Sequence, residues 1–180
     1  MNDKRTSVFG IYPNAFTAEG GVDALVRAGF ASSNISVLMA HDASTKEFAH
    51  EKHTKAPEGT TAGAVAGGAI GGTLGLLAGI GAIAIPGLGP FIAAGPIMAT
   101  LAGLGAGGAV GGVLGALTGL GLPEYEAKRY EGRVKNGGVL LSVHCDTSEQ
   151  ISRAKVVLKD SGAEDISSAA EEKSPDHVAR

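Results

Sequence analysis

The residues of this sequence with the most chemical potential are His144, Cys145 and Asp146, side by side at the end of an apolar run. A thiol becomes a nucleophile when a positioned base or a helix N-terminus lowers its pKa. The helix introduced by Thr147 could act in that way, but the sequence places no second histidine. A lone cysteine is more often a small buried hydrophobe. His50 and His53 lack a second ligand pair at metal spacing and read as solvated loop histidines. Gly103-Leu104-Gly105-Ala106-Gly107-Gly108 matches G-x-G-x-x-G by letter. A dinucleotide fingerprint needs a strand just before it, a helix after it and an acidic residue about 20 positions on; this run lies inside a helix stripe with no preceding strand, so the match is a coincidence of composition. Nor does any glycine run continue into the Lys-Ser or Lys-Thr of a phosphate-binding loop. Lys128, Arg129, Arg133 and Lys135 form a basic run with two readings: a solvated helix face, or a positive signal beside anionic headgroups, diluted by Glu124, Glu126 and Glu131. These residues lead to the expectation of a non-enzyme with no catalytic, cofactor-binding or metal-binding residue.

Composition narrows the remaining classes. The 180 residues carry a formal net charge of -3, which argues against a nucleic-acid partner, since phosphate binding calls for a basic face. There are 29 glycines and no tryptophan, and aromatics make up 4%. Apolar content built from glycine, alanine and small aliphatics buries less area per residue but allows close backbone approach. A single cysteine precludes an internal disulfide. The N-terminal MNDKRTSVFG has no apolar run before a cleavage site, so no secretory signal is expected.

Charge divides the chain. Residues 1–58 and 124–180 carry ordinary charge, whereas 59–123 hold no Asp, Glu, Lys, Arg or His. Gly63, Gly67, Gly71, Gly75 and Gly79 recur every fourth residue, as do Gly103, Gly107, Gly111, Gly115 and Gly119. The two arms are an internal repeat: the run Gly67 to Gly75 aligns with Gly107 to Gly115. This period lines up the glycines of each arm along one helix stripe, where a second backbone can pack closely. Each interior glycine costs roughly 1 kcal/mol against alanine in an exposed helix, so an isolated arm would not stay helical in water. The arms therefore read as a glycine-zipper helical hairpin, with these ten glycines as its helix-packing interface. Ile85-Pro86-Gly87-Leu88-Gly89-Pro90 breaks the arms, and a second break at Gly95-Pro96 isolates Phe91 to Ala94 as an interfacial or re-entrant turn.

The flanks have local signals of an α/β unit. Ser7 to Tyr12 reads as a strand, Phe16 to Ala28 as a helix closed by Gly29, and Asn34 to Met39 as a second strand. Gly20-Gly21 points to a late start for that helix. Pro123 opens a charged helix ended by Asn136-Gly137-Gly138, and Val139 to Val143 is an almost continuous apolar run, as a central strand would be. Thr147 and Gln150 form a capping box for a helix carrying Ile151, Ala154, Val157 and Leu158, which Gly162 ends before a weak strand over Asp165 to Ala169. The expected fold class is α+β: a ferredoxin-like module interrupted by the glycine-zipper hairpin. The expected division is 1–58 and 124–170 for the two halves of the module, 59–123 for the hairpin, and 171–180 for a flexible tail. The two halves are expected to fold together without the middle.

The chain resembles a bacterial family of heat-induced or general stress proteins, in which a short α/β module flanks a Gly/Ala-rich hydrophobic segment. The residues that carry the resemblance are Ile85 to Pro90, Ala93-Ala94-Gly95-Pro96, Leu120 to Glu124, Ala127 to Glu131 and Gly137 to Leu140, with Gly29-Phe30 and Ile35 to Leu38 in the first half. They are structural motifs, and the resemblance implies a stress-associated role without a defined chemistry.

The expected function is a structural protein that self-associates through its zipper helices as a homo-oligomer, embedded in the cell inner membrane with the α/β module on the cytoplasmic side. The alternative is a soluble, cytoplasmic assembly whose zippers form a hydrophobic core or conduit that binds a lipid or quinone.

Overall fold

The computed structural model describes residues 6–40, 81–85, 89–95, 97 and 112–170. It begins with strand β1, Thr6–Tyr12, and helix α1, Ala15–Arg27, which starts where Asn14 Oδ1 accepts the Thr17 amide at 2.9 Å. That cap overrides the two glycines at 20 and 21, so the late start expected of this helix is not observed. Ala18, Gly21, Val22 and Leu25, spaced by three and four, form the buried stripe. A 3-10 turn at Ser32–Asn34 leads to β2, Ile35–Ala40. After strands β3, Gly81–Ile85, and β4, Gly89–Ala94, come α2, Gly112–Gly119, and α3, Glu124–Lys135. The chain then forms β5, Val139–Cys145, α4, Ser148–Asp160, and β6, Glu164–Ala170.

The fold is α+β. The six strands of the described residues form one antiparallel sheet in the order β3-β4-β2-β5-β1-β6. β1 and β2 both run antiparallel to β5, which lies between them, so they are parallel to one another and α1 is their crossover. By the same logic β5 and β6 flank β1, with α4 as their crossover. Two β-α-β units are thus interleaved.

Both faces of the sheet are covered. On one, α1 and α4 supply Val22, Leu25, Ala154 and Leu158 against Val8, Tyr12, Val37, Leu141 and Val143. On the other, α2 and α3 supply Val113, Ala116, Leu117, Ala127, Tyr130 and Val134 against Phe9, Ile11, Leu38 and Leu140. β5 therefore buries successive residues on opposite faces, as its almost continuous apolar run foretells.

The expected helix-to-helix break at residues 85–90 and the re-entrant turn at Phe91 to Ala94 are corrected. β3 and β4 form a β-hairpin, and β4 pairs with β2 from Val37↔Ala94 to Ala40↔Phe91. Ile83, Ile85, Phe91 and Ile92 are β-branched or aromatic residues that favour strands, and the edge of β2 offers their backbone a partner. Ala93 and Ile97 are fully buried in the same core cluster as Phe9 and Leu140, so part of the uncharged segment is built into the module.

Candidate functional site

Strand alternation separates the His144-Cys145-Asp146 triplet. Cys145 is fully buried on the α1/α4 face, where its Sγ donates to the Val143 carbonyl at 3.6 Å. His144 projects to the opposite face, with its Nε2 3.3 Å from Asp146 Oδ1. The thiol and the imidazole thus lie on different sides of the sheet. The amides that start α4 engage the chain itself: Thr147 Oγ1 accepts the Gln150 N–H at 3.2 Å, and Gln150 Oε1 accepts the Asp146 N–H at 2.7 Å.

A polar cluster that sequence reasoning missed lies between α3 and β6. β6 carries a bulge, since Phe9 faces Ser167 and Ile11 faces Glu164, leaving Asp165 and Ile166 opposite Gly10 alone. Asp165 adopts a left-handed backbone, φ 49°, in that bulge. Its carboxylate meets Arg129 Nη1 at 3.0 Å and Arg133 Nη1 at 3.5 Å, while Arg133 Nη2 reaches Glu164 at 2.5 Å. Between them the Tyr130 hydroxyl donates to the Asp165 carbonyl and lies 3.0 Å from Ser167 Oγ. Burial pushes the Tyr130 phenol up to about 12, and the carboxylates of Glu126 and Asp165 add to the shift. Glu126, Arg129, Tyr130, Asp165, Ile166 and Ser167 line a shallow recess of about 200 Å³.

At neutral pH this phenol stays protonated and both guanidiniums face carboxylates. The arrangement clamps α3 to the bulged strand. One partial signal was legible: Arg129 and Arg133 are four apart on one helix face. Their acidic partners are more than 30 residues away, and only the register of β6 brings them together.

The basic run as a whole is neutralised. Lys128 pairs with Glu124 at 2.7 Å and Lys135 with Glu131 at 2.6 Å, and Arg129 and Arg133 pair as above. The hydrogen bond to Lys128 holds the Glu124 carboxyl below its usual range and, reciprocally, the Lys128 ammonium above its own. This pattern fits a solvated helix face and gives the headgroup reading no free cation among these four.

Of the expected zipper glycines, Gly63, Gly67, Gly71, Gly75, Gly79, Gly103, Gly107 and Gly111 lie outside the described residues, as do His50 and His53. Gly115 and Gly119 lie in α2, whose buried face is Val113, Ala116 and Leu117. Gly119 is exposed, and a Cβ added to Gly115 would meet nothing within 4 Å. The described part of the stripe therefore looks away from the protein's own core. Among the described residues no group of three His, Cys, Asp or Glu could hold a metal, and no helix is long and apolar enough to cross a membrane. No family model, curated protein or solved structure matches the chain.

Proposed function

We propose that this is a non-enzymatic, stress-associated structural protein that self-associates through its glycine stripe, displayed from a ferredoxin-like module. The strand order β2-β5-β1-β6, with two interleaved β-α-β units, supports the ferredoxin-like reading. The β3-β4 hairpin and the second helical layer are additions to that plan. The stress association rests on the resemblance of the Gly/Ala-rich segment and its flanks to heat-induced proteins.

The observation that carries the self-association reading is the orientation of α2. Its large side chains satisfy the sheet, and Gly115 and Gly119 are left facing outward, where they suit the backbone of a second helix. The same packing favours an assembly over a two-span membrane hairpin. A span needs on the order of 20 apolar residues. Residues 112–119 of the second arm are committed to the sheet through Val113, Ala116 and Leu117, each fully buried. Attachment through the first arm is a second reading, supported by an uncharged stretch from Gly59 to Ile80.

The test is light scattering on full-length protein purified without detergent. Gly115→Leu and Gly119→Leu should reduce the particle to a smaller species while its melting is unchanged or improved. Gly132→Leu, on α3, where an added Cβ also meets open space, should keep the native size. If the α2 variants keep the native particle size, the self-association reading fails. Flotation of the wild-type chain with vesicles decides membrane attachment.

A further inference from the structure

The sheet has two unlike edges. β6, at one end, is protected as natural edges are: a bulge interrupts its pairing at Asp165–Ile166, and it opens with the two carboxylates of Glu164 and Asp165. β3, at the other end, is Gly81-Ala82-Ile83-Ala84-Ile85, with no charge and no proline. It pairs with β4 in unbroken register from Gly81↔Ala93 to Ile85↔Gly89. Among the described residues it has a neighbour on one side only. A regular, uncharged edge without a gatekeeper is a template for another strand.

We infer that β3 is the edge at which two copies of this chain join, by antiparallel pairing of β3 with itself across a twofold axis. The inference rests on the self-association reading and names an interface for it. Charge selects the occupant. Against itself β3 brings no like charges together, whereas β6 pairing with its own copy would carry four carboxylates into the junction.

Backbone polarity sets the register. Pro90 has no N–H and sits opposite Ala84, one residue beyond the end of the β2–β4 pairing at Phe91. Proline is tolerated where its nitrogen faces away from the paired strand. The Ala84–Pro90 pair is then of the non-hydrogen-bonded type, and by alternation so is Ala82–Ile92. The N–H and C=O groups of Ala82 and Ala84 consequently point to the outer edge. Centring the twofold axis on Ile83 lets Ala82 of each copy exchange both backbone hydrogen bonds with Ala84 of the other. Ile83 then faces its own copy at a non-hydrogen-bonded position, with Cα atoms about 4.5 Å apart.

The experiment uses full-length Ile83→Cys under mild oxidation, read on a non-reducing gel. That Cα spacing lies within the range of roughly 4.4–6.8 Å that a disulfide spans, and the native Cys145 is buried. Ile83→Cys should form a covalent dimer at least tenfold faster than Ala82→Cys or Ala84→Cys, which do not face themselves across the axis. Ala84→Pro, which removes an outward N–H and leaves the β3–β4 bonds in place, should halve the mass measured by light scattering. If the wild type is oligomeric but Ile83→Cys cross-links no faster than its neighbours, the β3 interface is wrong and self-association survives. A wild type that is monomeric at tens of micromolar overturns both.

Discussion

Adjacent glycines in α1 should respond to the same substitution with opposite signs. Gly20 is exposed, and a Cβ there would meet nothing within 4 Å. Gly20→Ala therefore gains helix propensity, roughly 1 kcal/mol, with nothing opposing it. Gly21 gains the same propensity, but its Cβ would fall on the Tyr12 hydroxyl and 2.5 Å from Tyr12 Cζ. The Tyr12 ring is fully buried and pinned by a 2.7 Å hydrogen bond to Ser161 Oγ, which in turn donates to the Val157 carbonyl. Moving it costs about 1–3 kcal/mol of overpacking and about 1 kcal/mol for the hydrogen bond. Less the propensity gain, Gly21→Ala should destabilise by about 1–3 kcal/mol. Urea unfolding followed by circular dichroism measures both variants, and a stabilisation of 1 kcal/mol corresponds to roughly 2–4 °C in a chain of this size. Adding Tyr12→Phe removes the nearest clashing atom and should recover part of the loss in a double-mutant cycle. A Gly21→Ala protein as stable as the wild type would refute the packing account of this helix.

Three further outcomes follow from the other face and its clamp. Tyr130→Phe loses the hydrogen bonds to the Asp165 carbonyl and to Ser167 and should cost about 1–2 kcal/mol in the same unfolding assay. The Tyr130 phenol ionises near 10 in the unfolded chain and only at about 12 in the fold, so its contribution is complete below pH 10 and is lost as pH rises toward 12. Burial shifts Tyr12 in the same direction, and Tyr130→Phe should flatten the alkaline fall in stability measured between pH 9 and 12. Joining residue 58 directly to 124 removes β3, β4 and α2, leaving β2 paired on its β5 side only and stripping Ala93, Ile97, Val113, Ala116 and Leu117 from the cluster that covers Phe9, Ile11, Leu38 and Leu140. That protein should bind a hydrophobic dye and aggregate, contrary to the expectation that the charged flanks fold alone; a monodisperse, cooperatively melting product would restore it.

Much of the fold was legible because the signals that write it are local. Asn14 and Thr147 cap α1 and α4 with their own side chains. Gly29, Gly137 and Gly162, with Gly121 beside them, take the left-handed turn that ends each helix. At Gly121 the requirement is double, since a Cβ would also strike the Ala170 carbonyl. A strand with five buried apolar residues and a pair of β-α-β units needs no distant information to be recognised. The interleaving of those units does need it, as does the side of the sheet on which each helix lies.

The sequence by itself determined where helices begin and end in the charged flanks, that Val139 to Val143 runs through the interior, and that His144 and Cys145 alternate in a strand. Only the tertiary structure decided the rest. The Gly/Ala/Ile run from 81 to 94 suits a helix or a strand by composition, and the open edge of β2 makes it a hairpin. Arg129 and Arg133 look like part of a solvated basic face until the bulge in β6 delivers Glu164 and Asp165 to them. In each case the deciding partner lies more than 30 residues away, and backbone pairing and charge pairing at that separation are set by where the chain returns, which no local pattern encodes.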